Sequence, residues 1–416
     1  MTQVLTPAER AAAVAAPADA ALPFLPFALP SIGMDEVNDV SETLLSGWLT
    51  TGPRTKEFER TFAAFVGARH AIAVNSATGG LHLCLAALGI GPGDEVITTP
   101  LTFCATANVI VHLGATPVFA DIGPDLNIDP AAVRARITPR TKAIMPVHFG
   151  GLPCAMDELR AIAREHNLAI VEDAAHAVGA TYGDRPIGSV PEGSRDMVVF
   201  SFYATKNLTT GEGGMVTCDD PVLAEQIRIL SLHGISRDAW KRYTAEGSWY
   251  YEVLVPGYKY NMTDLQAALG LRQLRRFAGF QAERERLVAR YDAHFADLAT
   301  LLPPPHAAAP GTRHAWHLYA IRLDLQHLTI DRARFIEELR ACNIGASVHF
   351  IPVHLHPFYR DRYGLQRGDY PHAEAAYDAI VSLPLYPRMT DADVDRVALA
   401  VRLILHDHLQ QGAPSW

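Results

Sequence analysis

Phe200-Ser201-Phe202-Tyr203-Ala204-Thr205-Lys206-Asn207-Leu208-Thr209-Thr210-Gly211-Glu212-Gly213-Gly214 begins as a strand-like apolar run, breaks into a polar turn and ends in a glycine cluster. Lys206 stands at the break, among hydroxyls and small residues that let a bulky group come close. A lysine amine is nucleophilic only when unprotonated. A partly desolvated position that lowers its pKa therefore suits Schiff-base formation with a carbonyl cofactor such as pyridoxal phosphate (PLP). A lysine at a strand-to-loop junction with its head in water is the alternative reading of the same residues.

Two upstream segments bear on that choice. Leu168-Ala169-Ile170-Val171-Glu172-Asp173-Ala174-Ala175-His176-Ala177 reads as a buried strand ending in acids, which puts Asp173 at the carboxyl end of a strand, where open α/β sheets bind ligands. A carboxylate there can hold a pyridine nitrogen protonated; as a helix N-cap it would have no ligand at all. Ala71-Ile72-Ala73-Val74-Asn75-Ser76-Ala77-Thr78-Gly79-Gly80-Leu81-His82-Leu83-Cys84-Leu85-Ala86-Ala87-Leu88-Gly89 reads as a strand, a small polar turn and a helix with Leu81, Leu85 and Leu88 on one face and Gly89 as its stop. The amides of Ala77, Thr78 and Gly79 and the hydroxyls of Ser76 and Thr78 then offer donors to a phosphate at a helix N-terminus, whose dipole already favours an anion. A capping turn without ligand is the plain alternative.

Around these segments the chain alternates strand and helix patterns from about Phe58 to Cys218. Val96–Thr99, Pro117–Ala120 and Ala143–Val147 read as strands, and Thr106–Leu113 and Met156–His166 as helices. Such alternation predicts an α/β architecture: a mostly parallel sheet with helices on both faces in a large cofactor domain over residues 29–275. A long helix from Asp264 to Phe295 follows. Leu302–Gly311, rich in proline and alanine, breaks regular structure, and a smaller C-terminal α+β domain takes up residues 276–416 with the connecting helix. Within it, His317–Arg322 reads as a strand, and Arg332–Cys342 and Val394–Leu405 as helices. Residues 1–28, rich in Ala and Pro, read as a flexible or partner-draped arm, without the basic start and clean apolar core of a signal peptide.

Composition narrows the class. The 416 residues, 49% of them hydrophobic, suffice for a large core, and a formal charge of −9 argues against a nucleic-acid binder. No apolar run is long enough to span a membrane. Cys84, Cys104, Cys154, Cys218 and Cys342 are odd in number and lie in apolar sequence, which suits buried thiols in the reducing cytoplasm. No zinc spacing is present. His349, His354 and His356 fit no regular ligand pattern, so no metal is expected.

Taken together, Asn75–Thr78, Glu172–His176, Ser201–Gly214 and Gly257-Tyr258-Lys259-Tyr260-Asn261-Met262-Thr263-Asp264 resemble the marker motifs of the DegT-type nucleotide-sugar aminotransferases, fold-type I PLP enzymes, in the family's order and from about Leu29 to about Leu405. The resemblance implies that Lys206 carries the cofactor and moves the proton between the amino carbon and the cofactor carbon. It also implies that Asp173 pairs with the pyridine nitrogen and that His176 lies beside the ring oxygen. Phe103 resembles the aromatic stacked on the ring. Ser201 resembles the hydroxyl that joins Ser76, Ala77 and Thr78 on the phosphate, and Asn261 the residue that reaches the phosphate of a neighbouring subunit, so a homodimer with shared sites is expected.

Trp48-Leu49-Thr50-Thr51-Gly52-Pro53 is similar to the family's loop at the sugar pocket, with Trp48 and Thr50 as contacts. Tyr258 and Lys259 suit a sugar ring and a diphosphate, and His349 belongs to a loop expected at the same pocket. Glu252–Asn261 looks most like enzymes acting on UDP-linked 4-keto sugars, including the 4-keto-pentose branch. The implied reaction moves an amino group from L-glutamate, leaving 2-oxoglutarate, to a keto group of a nucleotide-linked sugar, with cell-envelope polysaccharide synthesis or a secondary metabolite as the destination. Two other readings share the scaffold: a PLP-dependent sugar dehydratase, which in this family carries histidine at the lysine position, and a PLP-binding regulator without turnover.

Overall fold

The computed structural model describes residues 23–236, 250–307 and 309–410. Its centre is a seven-stranded sheet in the order β1-β9-β8-β5-β4-β2-β3, formed by β1 (His70–Val74), β2 (Glu95–Thr98), β3 (Thr116–Phe119), β4 (Thr141–Met145), β5 (Ala169–Asp173), β8 (Met197–Ser201) and β9 (Gly214–Cys218). A two-stranded hairpin of β6 (Thr181–Tyr182) and β7 (Arg185–Pro186) lies between β5 and β8 in sequence. The β3, β2, β4, β5 and β8 strands pair in parallel, as the alternating pattern predicts. β9 is the departure, since it runs antiparallel to both β8 and β1. Residues 202–213 contain no helix to carry a parallel crossover, so the chain turns back beside β8 and holds Lys206 at the turn.

Side-chain alternation explains why the strands are buried on both faces. Ile72, Val74, Val171, Met197, Val199 and Val216 pack with Leu81 and Leu85 of the helix Ala77–Ala87. Their neighbours in sequence, Ala71, Ala73, Val198, Phe200 and Met215, pack on the opposite side with Phe58 and Phe62 of the helix Pro53–Val66 and with Ala267, Leu271 and Leu274 of the helix Asp264–Phe295. Phe62 touches Phe200 edge-on at 5.1 Å and Phe202 at 5.5 Å between ring centroids. Truncating so enclosed a ring to alanine costs about 3–5 kcal/mol.

The long helix has the limits that the sequence predicts, Asp264–Phe295, because Thr263 accepts from the amide of Gln266 while the Gln266 side chain returns to Thr263. It serves two cores. Residues up to Phe277 pack on the large sheet, whereas Leu287, Val288, Tyr291 and Phe295 pack on the antiparallel sheet β10 (Leu301–Leu302), β11 (Tyr319–Leu323) and β12 (Ile380–Leu383) and on the helices Arg332–Ala341 and Asp391–Asp407. The expected boundary after residue 275 thus falls inside a continuous helix. Leu302, expected in an irregular linker, pairs with Arg322 before three prolines end the strand. Of the expected arm, residues 1–22 lie outside the described residues. Leu25 is buried against the C-terminal core and bridges Ile344.

Candidate active site

β1 ends at Val74, and Ser76 starts the next helix by accepting the amide of Gly79 on its hydroxyl at 3.0 Å. The amides of Ala77 and Thr78, in the first helical turn, have no acceptor within the helix and are donors for an anion. Ser201 is brought to the same place by strand pairing, because it lies opposite Gly214 and Gly214 lies against the Ser76–Ala77 peptide. A Cβ on residue 214 would stand 2.8 Å from the Ala77 nitrogen, the Ser76 carbonyl carbon and the Phe200 oxygen. Only glycine lets β9 approach the helix N-terminus so closely. Ser76, Ala77, Thr78 and Ser201, expected from sequence at a phosphate, therefore share one cup, whereas the Gly79 amide, expected among the donors, is spent on capping by the Ser76 hydroxyl.

Asp173 closes β5 and is buried. One carboxylate oxygen accepts from the Thr106 hydroxyl at 2.8 Å, the other from the Ala175 amide at 3.1 Å. Burial raises its pKa, while these two donors and the nearby charge of Lys206 pull it back. Lys206 is perturbed in the opposite sense: loss of hydration lowers its pKa to about 8, against the attraction of Asp173. His176 is held well below its ordinary pKa, first by burial and then by Lys206 and His349, so it is neutral. Its Nδ1 accepts the Gly150 amide at 3.2 Å. A backbone N–H can only donate, so the single proton of His176 sits on Nε2, which is a donor.

A cationic ring with a phosphate tail and an oxygen substituent fits this arrangement. The helix cup can take the phosphate, the buried Asp173 lacks a full counter-charge, the His176 Nε2–H can meet a ring oxygen, and Lys206 has an accessible neutral form near neutrality.

The remaining predicted residues separate into two groups. His349 joins the first: its pKa falls to about 3 through burial and the Lys206 charge, and its Nδ1 meets the Ser382 hydroxyl at 2.9 Å. Phe103 is exposed at the start of the helix Cys104–His112, with its ring 6.0 Å from that of Phe350. Trp48, Thr50, Tyr258, Lys259 and Asn261 form the second group. Asp264 fastens it by accepting from the amides of Gly52, Arg54 and Thr55, while its own amide donates to the Thr50 carbonyl. The indole of Trp48 donates to the Thr51 carbonyl.

Tyr258 and Tyr260 stack at 5.3 Å, and both rings contact His82 on the helix Ala77–Ala87. Burial lowers the Lys259 pKa. The Asn261 backbone bridges Val74, and its side-chain amide donates to Thr51 of the same chain at 2.7 Å. Among the described residues, no hydrogen bond ties this second group to Lys206, Asp173 or His176. His354 lies apart from His349, buried on Glu374 at 2.9 Å.

Sequence reasoning passed over several contributors. Thr106, read only as a helix start, anchors Asp173. Asn207 and His317, which meet at 3.1 Å, sit beside Lys206 and His176. Behind Asp173, Glu172 is buried with His148 at 2.9 Å and Arg160 at 2.8 Å, which fixes the strand end from the other face. The adjacency of Asn207 to Lys206 was a usable signal; for His317 no local signal exists.

Residues 30–402 match the DegT/DnrJ/EryC1/StrS aminotransferase family. The chain is 56% identical over 384 residues to the spore coat polysaccharide biosynthesis protein SpsC of Bacillus subtilis, covering 92% of this chain and 97% of that one. Among solved structures it resembles a putative sugar aminotransferase, Spr1654 of Streptococcus pneumoniae, in its PMP form, with a TM-score of 0.85, 36% identity, and 92% and 100% of the two chains covered. The same protein is also known in a PLP form. DesI, solved in the presence of its TDP-sugar product, matches with a TM-score of 0.79 at 35% identity over 92% of each chain.

Proposed function

Because the chain belongs to the DegT/DnrJ/EryC1/StrS aminotransferase family and has PLP as its cofactor, we propose that it transfers an amino group from L-glutamate to the keto group of a nucleotide-linked sugar, a UDP-linked 4-keto sugar in the first instance. The observation that carries this reading is the pairing of a desolvated amine, Lys206, with a buried carboxylate, Asp173, beside a neutral donor, His176.

Ser76, Ala77, Thr78 and Ser201 would hold the phosphate, Asp173 the ring nitrogen and His176 the ring oxygen, with Phe103 over the ring and Lys206 as the covalent attachment. When bound, PLP supplies an electron-poor ring that stabilises negative charge on the amino carbon. The chain's own part is to place and move protons. Asp173, held in one orientation by Thr106 and Ala175, would offer its carboxylate to the ring nitrogen. The Nζ of Lys206, with a pKa near 8, takes the proton from the donor's α-carbon and returns it on the other side of the transfer. The nitrogen leaves L-glutamate, which departs as 2-oxoglutarate, and arrives at the keto carbon of the sugar.

The sugar and its diphosphate are assigned to Trp48, Thr50, Tyr258, Lys259 and His349, with Asn261 facing a neighbouring subunit's phosphate in a homodimer. Exposed Leu44, Leu45, Leu49, Val253, Leu254 and Val255 near these loops give an apolar surface for such a partner. The division into an N-terminal arm (1–28), a large cofactor domain (29–275) and a connecting helix with a small domain (276–416) belongs to the same reading. Among the described residues no disulfide joins the cysteines, which suits a cytoplasmic enzyme, and no helix is long and apolar enough to cross a membrane. The likeness to SpsC supports a role in polysaccharide synthesis.

The test is a glutamate half-reaction followed by a panel of UDP- and TDP-linked keto sugars read by mass spectrometry. The proposal expects one equivalent of 2-oxoglutarate per site and an aminated nucleotide sugar. Loss of water from the sugar instead would identify a dehydratase, and the absence of both products a regulator.

A further inference from the structure

We propose that His317 is a positioning residue for Lys206 and His176, acting through a hydrogen bond from its Nδ1–H to Asn207. This inference rests on the PLP aminotransferase reading and adds to it a residue on the strand entry of the C-terminal domain.

The tautomer follows from the partners. The Asn207 side-chain amide donates to the Ala315 carbonyl at 2.6 Å, which fixes its NH2 on that side and turns its oxygen toward His317. That oxygen stands 3.1 Å from His317 Nδ1, which must therefore carry the proton. Burial holds His317 well below its ordinary pKa, so the ring is neutral and Nε2 is bare. The ring centroid of His317 lies 4.3 Å from that of His176, whose proton is on Nε2. Two neutral imidazoles in contact thus present opposite faces beside Lys206: a donor on His176 and an acceptor on His317.

The main chain makes His317 a fixed point. Its amide donates to the Gly150 carbonyl at 3.0 Å, and the amide of the same Gly150 is the donor that sets the His176 tautomer. From the other side the buried guanidinium of Arg284 holds the carbonyls of Trp316 at 3.0 Å, His317 at 3.5 Å and Leu385 at 3.0 Å through one nitrogen. Asn207 follows Lys206 directly in a turn closed by the Lys206 amide on the Tyr203 carbonyl. A displacement of His317 therefore passes to the turn that carries the amine and to the ring beside it. The titratable groups that face Lys206 are Asp173, His176, His317 and His349.

The experiment compares His317→Leu, which removes the donor, with His317→Asn, whose amide can supply an N–H in the place of Nδ1. Three quantities are read: the pH midpoint of the visible band of the holoenzyme, the pH midpoint for chemical modification of Lys206 in the apoprotein, and kcat. His317→Leu is expected to raise the apoprotein midpoint by about one pH unit or more, toward an ordinary lysine, because a loosened turn rehydrates the amine. It should also displace the visible-band midpoint and lower kcat by about tenfold or more. His317→Asn should bring all three back to within about threefold or a few tenths of a pH unit of the wild type. Wild-type midpoints in a folded His317→Leu overturn the proposal, as does a His317→Asn variant as impaired as His317→Leu. A wild-type protein with no visible band would instead defeat the PLP reading itself, an outcome recognisable before any variant is made.

Discussion

Gly214→Ala tests how the proposed phosphate cup is built. The added methyl would sit 2.8 Å from three backbone atoms, the Ala77 nitrogen, the Ser76 carbonyl carbon and the Phe200 oxygen. Ordinary contacts with a methyl begin near 3.4 Å, so β9 and the helix start must separate by about 0.6 Å, and backbone cannot rotate aside as a side chain does. Overpacking of this kind costs about 1–3 kcal/mol. Because the displaced peptide carries the Ala77 amide, the same strain falls on the anion donors, and PLP affinity should drop by about tenfold or more, which is 1.4 kcal/mol. Gly279, on the same protein's long helix, is the control, since a Cβ there meets nothing within 4 Å. Gly279→Ala should stabilise by about 0.5–1 kcal/mol and leave PLP binding unchanged. Equilibrium dialysis of PLP and urea unfolding of the apoproteins give both numbers. Wild-type affinity and stability in Gly214→Ala would refute the close approach of β9 to the cup.

Three further outcomes follow from the titrating groups. Thr106→Val removes the hydroxyl that donates to the Asp173 carboxylate, so the apoprotein should lose about 1.5–3 kcal/mol at neutral pH in denaturant titrations, and the loss should shrink as acid protonates Asp173. In the apoprotein, modification of Lys206 by an amine reagent should rise with pH, reach half its maximum near pH 8 and level off about one unit higher, because the amine's pKa is lowered to about 8; a rate still climbing at pH 10 would contradict the desolvated site. His314 is pushed down to about 3 by burial, so the folded state resists the proton that the unfolded chain binds below about pH 6.5. Stability tied to this residue is present above that pH and lost as the pH falls toward 3. His314→Asn keeps an acceptor for the Trp316 amide but cannot titrate, so between pH 6 and 4 the wild type should lose about 1.4 kcal/mol per pH unit relative to the variant in urea unfolding.

What could be read from the sequence was what local chemistry dictates. The helix Asp264–Phe295 announces its start through Thr263 and Gln266, and Met156–His166 through its apolar stripe. The cup, Asp173 and Lys206 each follow a strand whose apolar run is plain, and the parallel sheet follows from the alternation of strands and helices. The reversed β9 was hidden because its direction depends on how residues 202–213 close, not on any pattern within the strand. Thr106 and His317 were hidden for a related reason: their partners are brought to them by packing of separate elements. The loop at Trp48–Pro53 was recognisable as a turn, but its attachment to Asp264 is a tertiary contact between a helix cap and a distant carboxylate. Asn261, assigned to a neighbouring subunit by resemblance, spends its amide on Thr51 within one chain, so its partner role requires that bond to yield or a second acceptor to join it.

The most direct measurement of the account is to bind PLP, reduce the complex with borohydride and map the modified peptide by mass spectrometry, since reduction traps the cofactor on whichever lysine carries it. The account predicts the added mass on Lys206, and no visible band or trapped cofactor in Lys206→Ala. Label on another lysine, or a Lys206→Ala protein that still traps PLP, would contradict it.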